Sequence, residues 1–283
     1  MKTENELIED LLNLAFAEDI GDGDHTTLCC IPADKIGKAQ LLIKEDGILA
    51  GVEIAKKVFH KFDPDMKVEV LIQDGTPVKK GDIAFYVTGK EQSLLQTERI
   101  VLNIMQRMSG IATQTNRYAK QLEGLHTKVL DTRKTTPGLR ILEKHAVKIG
   151  GGCNHRIGLF DMILLKDNHV DFAGGIKNAI TKAKEYLKAN NKDLKIEIEV
   201  RNFDELEEVM QVGGVDRIML DNFNTTDTKE AVKRIAGKYE TESSGGITFD
   251  TLRSYAECGV DYISVGALTH SVKGLDMSLK AVK

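Results

Sequence analysis

The chain opens with a helical pattern and continues as a mixture of short strands and helices. Thr3 and Glu6 have the spacing of a capping box, and apolar residues follow at helical spacing up to a loop at residues 19–24. Three strand-like runs and two helical stretches come next: 39–43, 66–72 and 83–87 for the strands, and 52–62 and about 91–122 for the helices. This pattern predicts a small α/β layer.

From residue 127 the pattern changes to a regular alternation of strands and helices. The apolar runs lie at 129–130, 162–165, 196–200, 217–220, near 241 and at 262–265, and the helical stretches at 139–149, 176–187 and 204–211. Such alternation specifies parallel βαβ units. A complete (β/α)8 barrel needs eight strands and typically about 250 residues. Six strands therefore predict an incomplete α/β barrel.

Composition narrows the class of protein. The 283 residues carry 39 Lys and Arg against 43 Asp and Glu, a net charge of −4. A protein that coats nucleic acid or binds a membrane surface is usually basic, so neither role is expected. The first ten residues are acidic and lack an apolar secretion core, and no run approaches the roughly 18 apolar residues of a membrane span. We expect a cytoplasmic location, with the four cysteines as reduced thiols.

Charged and glycine residues follow six consecutive predicted strands. In α/β barrels the active site lies where the strands end and the following loops begin. The residues at these points are, in chain order, Arg133 with Lys134, Lys166, Glu199, Asp221, Ser244-Gly245-Gly246, and Gly266. Six such positions in order predict one functional site.

Positive charge is concentrated between residues 133 and 156. This segment has six basic residues and the single acid Glu143. The rigid fork of arginine suits a planar carboxylate, so several arginines would suit a substrate with more than one carboxylate. We interpret Lys144 and Lys148, at helical spacing, as a solvated helix face. The loop residues are the candidates for function: Arg133, Lys134, His155 and Arg156. We expect His169 to lie behind the residues that contact the substrate.

The remaining strand ends suggest phosphate chemistry. Backbone N–H groups at glycine loops bind phosphate, and barrels commonly place such a site after the last two strands. Glu199 and Asp221 could hold Mg²⁺ through water or bind sugar hydroxyls, or they could cap helices and pair with lysines. Lys166 could neutralise a phosphate, form a Schiff base, or be a surface lysine.

At these residues the sequence resembles the quinolinate phosphoribosyltransferase family. The strings that carry the resemblance are EDIGDGD at 18–24, DTRKTTPGLR at 131–140, GGGCNHR at 150–156, LKDNH at 165–169, LDNF at 220–223, SGGI at 244–247 and SVGALTH at 264–270. They span almost the whole chain. The resemblance implies an N-terminal open α/β sandwich at 1–109 and a six-stranded barrel at 110–269, with residues about 270–283 packing on the sandwich.

The resemblance also implies partners and roles. It implies a homodimer in which Arg99 is lent to the site of the partner subunit. Quinolinate would meet Thr132, Arg133, Lys134, His155 and Arg156, while phosphoribosyl pyrophosphate would meet Lys166 and, at its 5-phosphate, Ser244, Gly245, Gly246, Val265, Gly266 and Ala267. Lys134, Lys166, Glu199 and Asp221 would be the catalytic set. Mg²⁺ would be held by Glu199 and Asp221 through substrate or water, with Glu197 as the alternative to Glu199.

The implied reaction joins the phosphoribosyl group to quinolinate and releases pyrophosphate and CO₂. Three alternatives remain open from the residues alone. The first is a related phosphoribosyltransferase that acts on nicotinate or another aromatic acid. The second is a lyase that forms a Schiff base at Lys166, and the third is an anion-binding module without catalysis.

Overall fold

The computed structural model describes residues 2–282. Residues 2–116, 135–151 and 267–282 form one compact unit, and residues 117–134 and 152–266 form a second. The first unit thus contains three separate pieces of the chain. The continuous domain boundaries that we expect at 109 and 269 stay a prediction.

Twelve strands and eleven helices make up the described part of the chain. The helices are α1 (Glu4–Asp19), α2 (His25–Cys30), α3 (Val52–Phe62), α4 (Glu91–Gln121), α5 (Arg140–Ile149), α6 (Asp167–Ala173), α7 (Ile176–Ala189), α8 (Phe203–Val212), α9 (Thr225–Ile235), α10 (Leu252–Ala256) and α11 (Ala267–His270). The strands are β1 (Ile36–Ile43), β2 (Gly47–Ile48), β3 (Lys67–Val70), β4 (Pro77–Val78), β5 (Ile83–Lys90), β6 (Lys128–Leu130), β7 (Ile163–Leu165), β8 (Ile196–Val200), β9 (Arg217–Asp221), β10 (Glu240–Ser244), β11 (Tyr262–Ser264) and β12 (Met277–Ala281).

The first unit is built on an antiparallel sheet in the order β12-β1-β5-β3. The predicted capping box begins α1, where the Thr3 hydroxyl accepts from the Glu6 N–H at 3.3 Å and Glu6 Oε2 accepts from the Thr3 N–H at 2.6 Å. The last strand, β12, pairs with β1, so the end of the chain completes this sheet.

Helix α4 runs without interruption through Gly110. A Cβ at this position would collide with the Lys273 carbonyl oxygen, which explains why the helix has a glycine there. Glycine in a helix interior costs about 0.5–1 kcal/mol relative to alanine. Here that cost permits the close approach of the segment that leads to β12.

The second unit contains the six strands expected from the alternating pattern. They form a parallel sheet in the order β6-β11-β10-β9-β8-β7. The two end strands do not pair with each other among the described residues, and β6 makes a single bridge from Leu130 to Cys153. The predicted α/β class with a six-stranded, incomplete barrel is therefore confirmed.

Alternate residues of the central strands bring charged side chains to one face of the sheet. In the strand register, Arg217 of β9 lies between Glu197 of β8 and Glu240 of β10, and Asp221 is paired with Ser244. Glu197 and Glu242 are fully buried. Because parallel sheets are covered on both faces, these charges must be balanced inside the protein.

The prediction for Lys144 was wrong. Its side chain is buried, with 1% exposed, whereas Lys148 on the same helix is exposed. Helix α5 also buries Leu142, Glu143, Ala146 and Val147, so its covered face is wider than the apolar residues alone indicate. Within residues 2–282, no helix has both the length and the hydropathy that crossing a membrane requires.

Candidate active site

The second unit has a cavity of about 180 Å³ at the carboxyl ends of its strands. Its lining consists of Thr132, Arg133, Lys134, His155, Arg156, Leu164, Lys166, Met219, Glu242, Ser244 and Ser264. Seven of these are residues that the sequence singled out. The fold thus brings together side chains from six separate stretches of the chain.

The loop after β6 provides exposed positive charge at the cavity. Arg133 and Lys134 are both exposed, and Thr132 is half-buried. The Lys134 N–H donates to the Thr132 hydroxyl at 3.0 Å, which fixes the turn between them. Both cations are accessible to an anionic ligand.

His155 and Arg156 are fixed by hydrogen bonds within the second unit. The His155 N–H donates to Asp131 Oδ1 at 2.8 Å, and the Arg156 N–H donates to His155 Nδ1 at 2.7 Å. Arg156 Nη1 donates to the Met162 carbonyl at 3.2 Å. Burial, and then the charge of Arg133, lower the pKa of Arg156. Because both causes disfavour the cation, an anionic ligand here would relieve unfavourable charge.

Lys166 and Glu199 form an ion pair at the ends of β7 and β8. Lys166 Nζ lies 3.2 Å from Glu199 Oε2, with the lysine side chain 48% exposed and the glutamate 8% exposed. The Lys166 N–H donates to His169 Nδ1 at 3.0 Å, so His169 supports the start of α6. Burial raises the pKa of Glu199; Lys166 opposes this rise, and Asp221 adds to it.

The ends of β9 and β10 are packed closely together. The Asn222 N–H donates to the Ser244 carbonyl at 2.9 Å, and the Asn222 side chain donates to Asp221 Oδ2 at 2.7 Å. Gly245 has φ +95°, and a Cβ there would collide with the Asn222 side chain. Gly246 also has a positive φ. The loop after β10 therefore requires glycine, and its backbone is free of side-chain bulk.

Three predicted residues follow β11, and one lies on α4. Ser264 lines the cavity, and the Val265 N–H donates to the Leu130 carbonyl at 2.9 Å with its side chain buried. Gly266 ends the second unit, whereas Ala267 begins α11 in the first unit. Arg99 is exposed on α4 in the first unit. Their predicted roles stay predictions.

Glu199 and Asp221 fit a Mg²⁺ ion held indirectly. They lie at the ends of adjacent strands, and carboxylate oxygens are the ligands that Mg²⁺ prefers. The Lys166 ammonium already contacts Glu199 Oε2, which favours contact through water or substrate oxygens. The alternative, Glu197, is fully buried and has Arg217 Nη1 3.9 Å away.

A buried acidic cluster at the cavity was not predicted from the sequence. Glu242 Oε2 lies 3.0 Å from Arg217 Nη1 and 3.6 Å from His155 Nε2. Glu197 Oε2 lies 3.1 Å from His155 Nε2. Burial raises the pKa of each glutamate to about 7. The signal in the sequence is the alternation EIE in β8 and ETE in β10, within strands expected to be covered on both faces.

Family models match both halves of the chain. The model described as quinolinate phosphoribosyl transferase, N-terminal domain, matches residues 24–109, and the C-terminal domain model matches residues 111–280. The chain belongs to the quinolinate phosphoribosyltransferase family. This confirms the resemblance that the motif strings indicated.

Relatives and solved structures agree with this family. A chloroplastic nicotinate-nucleotide pyrophosphorylase (carboxylating) of Arabidopsis thaliana is 46% identical over 95% of this chain and 81% of its own length. A probable enzyme of the same name in Bacillus subtilis is 42% identical over 96% and 92%. The crystal structure of NadC from Streptococcus pyogenes is 38% identical, with a TM-score of 0.92 over 100% of this chain and 99% of that one.

Proposed function

We propose that this protein transfers the phosphoribosyl group of phosphoribosyl pyrophosphate to quinolinate. The products are nicotinate mononucleotide, pyrophosphate and CO₂, as in de novo NAD biosynthesis. The observation that carries the proposal is the convergence of Arg133, His155 and Arg156 on one cavity, with Lys134 and Lys166 beside them. So many basic side chains at one cavity suit an aromatic diacid and a polyphosphate bound side by side, because both substrates are anions with several charges.

Quinolinate binds at the basic side of the cavity. Arg133 and Arg156 each offer a planar fork that can make two parallel hydrogen bonds to a carboxylate. The charge of Arg133 lowers the pKa of Arg156, so the dianion stabilises both guanidinium groups when it binds. The two carboxylates of the flat quinolinate ring match the two arginines that line this cavity.

Phosphoribosyl pyrophosphate binds at the other strand ends. Lys166 neutralises phosphate charge, and the loop Ser244-Gly245-Gly246 offers backbone N–H groups to the 5-phosphate. Glu199 and Asp221 would hold Mg²⁺ through water or substrate oxygens, and the ion would supply charge that stabilises the departing pyrophosphate.

The protein acts mainly by positioning and by charge. Lys134 and Lys166 offset the repulsion between two anionic substrates, so the pyridine nitrogen can approach the ribose carbon that bears pyrophosphate. That carbon gains oxocarbenium character as pyrophosphate leaves. The pyridinium ring then takes up electrons from the bond to the adjacent carboxylate, and CO₂ is released without a covalent bond to the enzyme.

The assembly is a homodimer in which Arg99 of each subunit completes the site of the other. Arg99 is exposed on α4, as a residue that acts across an interface must be before assembly. The protein acts in the cytoplasm, binds no nucleic acid and binds no membrane. Its net charge of −4 is consistent with the last two statements.

The decisive experiment is release of labelled CO₂ from quinolinate labelled at its 2-carboxyl group. We expect release that depends strictly on phosphoribosyl pyrophosphate and matches the nicotinate mononucleotide formed. Nicotinate is the control substrate and should give little product. Better turnover of nicotinate than of quinolinate would overturn the proposal.

A further inference from the structure

The proposed reaction needs a proton donor in addition to its cations. When the bond between the ring carbon C2 and its carboxylate breaks, the electron pair stays on C2 and CO₂ leaves. That carbon must then gain a proton to become the C–H group of nicotinate mononucleotide. A general acid within reach of C2 would accelerate this step.

Glu242 is a carboxyl group at the proposed quinolinate site. It lines the cavity that also contains Arg133 and Arg156, yet its side chain has no exposed surface. Its Oε1 atom makes no hydrogen bond to the described residues, whereas its Oε2 atom faces Arg217 and His155. A buried carboxyl with one oxygen unpartnered has an open position for a ligand atom.

The surroundings of Glu242 favour a bound proton. Burial is the largest cause of the raised pKa, about 7, and the charge of Glu197 is the next. His155, Arg217 and the Ser264 hydroxyl act in the opposite direction. The charged and titratable groups beside it on the neighbouring elements are Glu197 on β8, Arg217 on β9, His155 before β7 and Tyr262 on β11. Glu240 lies two residues away on the same strand.

We propose that the Glu242 carboxyl is the acid that protonates C2 after CO₂ departs. The proton moves from the carboxyl to the electron pair on C2, a C–H bond forms, and Glu242 becomes a carboxylate. Arg217, 3.0 Å away, balances the new negative charge until solvent returns a proton after product release. The assignment rests on the proposed function, because only a decarboxylating reaction needs this proton.

Other acids at the cavity are less suited to the step. Lys134 and Lys166 also line it, but both are exposed, and a lysine that released its proton would remove a cation from two anionic substrates. His155, Glu197 and Glu242 have ligand atoms within 4.8 Å of one another, which a metal ion could use. Arg217 already supplies positive charge to this cluster, so a proton suits the cluster better than a second cation.

The test separates formation of the nucleotide bond from protonation. In single turnovers with excess enzyme, pyrophosphate, CO₂ and nicotinate mononucleotide are measured together for wild type and for Glu242→Gln. We expect pyrophosphate release within about twofold of wild type. Net CO₂ release and nicotinate mononucleotide formation should both be about 100-fold slower or more, because CO₂ recombines with the unprotonated C2 and a carboxylated mononucleotide accumulates. Glu240→Gln is the matched control, since Glu240 also pairs with Arg217 but does not line the cavity.

Three results decide the matter. Nicotinate mononucleotide formed by Glu242→Gln at the wild-type rate would overturn the assignment of Glu242 and leave the proposed function standing. Wild-type enzyme that releases no pyrophosphate with quinolinate would overturn the proposed function itself. If Glu242→Gln does not fold, infrared spectra of the wild type with ¹³C-labelled glutamate replace this test. A band from a protonated glutamic acid at pH 6 supports the proposal, and its absence contradicts the proposal.

Discussion

Lys166 Nζ lies 3.2 Å from Glu199 Oε2, so an ammonium group and a carboxylate meet at the ends of two adjacent strands. The Lys166 charge, which lines the cavity, is therefore already paired. A polyphosphate that binds Lys166 therefore competes with Glu199 for the same ammonium group, and Glu199 then becomes available to a cation. In the proposed reaction, this pairing would connect binding of the anionic substrate with recruitment of Mg²⁺.

Replacing the ammonium should impair catalysis without changing the fold. We expect Lys166→Met to lower kcat/KM by roughly 10²–10³, the usual effect of removing one group that stabilises developing charge. Lys166→Arg should recover part of the activity. Treatment of the wild type with borohydride during turnover should leave no substrate adduct on Lys166. A trapped adduct would instead support a Schiff-base lyase.

The two arginines should determine the affinity for quinolinate. We expect Arg133→Ala and Arg156→Ala each to raise the KM for quinolinate about tenfold to a hundredfold, since a hydrogen bond to a charged group contributes about 1.5–3 kcal/mol. Steady-state kinetics with circular dichroism as a folding check measures this. Arg253→Ala, a change at an exposed arginine paired with Glu257, should leave KM unchanged. Unaltered kinetics in both pocket variants would contradict the assignment of the site.

Arg99 should act on the site of the partner subunit. Arg99→Ala and Lys134→Ala should each be inactive alone, whereas mixed dimers have one site with both residues intact. A random mixture should recover about a quarter of the wild-type activity, because half of the dimers are mixed and each has one good site. Lack of recovery in purified mixed dimers would refute the shared site.

Activity should depend on Mg²⁺ through the two strand-end acids. Chelation should abolish turnover, and added Mg²⁺ should restore it. Glu199→Gln and Asp221→Asn should both raise the Mg²⁺ concentration needed for half-maximal rate. Glu230→Gln, an exposed pair with Arg234, is the control and should not change it. A wild-type rate that is insensitive to chelation would exclude the ion from the reaction.

The raised pKa of Glu242 predicts a pH effect on stability. The folded state holds the Glu242 proton up to about pH 7, whereas the unfolded state releases it near 4.5. Between these two pH values the native state binds more protons than the unfolded state does. Glu242 therefore makes the free energy of unfolding decrease as the pH rises. Glu242→Gln has no carboxyl group to titrate at this position. The urea concentration at the midpoint of unfolding is measured for both proteins at pH 5 and pH 8. We expect the variant's midpoint minus the wild-type midpoint to be larger at pH 8 than at pH 5. A constant difference would contradict the raised pKa.

The strand ends and the loops after them could be predicted because their residues are few and distinctive. Thr132, Arg133, Lys134, His155, Arg156, Lys166 and Ser244 were singled out from the sequence, and all line one cavity. Six strands in regular alternation were enough to predict an incomplete barrel. These features depend on local pattern and on the general rule that parallel strands end at one edge.

What the sequence did not indicate depends on contacts between distant segments. Lys144 was assigned to a solvated face because lysines at helical spacing are usually exposed, but α5 is covered on that side. Glu197 alternates with isoleucines in β8, and Glu242 lies between Thr241 and Ser243 in β10, so both resemble residues of surface strands. Only the sheet register shows Arg217 between their strands. Arg99 is informative only through the family resemblance.

The gap between β6 and β7 determines how the basic side chains reach the cavity. Cys153 runs beside β6, donating to the Val129 carbonyl at 2.9 Å and accepting from the Asp131 N–H at 3.1 Å. The chain then continues directly into His155 and Arg156. In a closed barrel, only the strand ends and the loops after them could supply side chains to the cavity. Here the chain that supplies His155 and Arg156 passes through the gap between β6 and β7. If two more strands closed this gap, they would displace the His155 imidazole and the Arg156 guanidinium together.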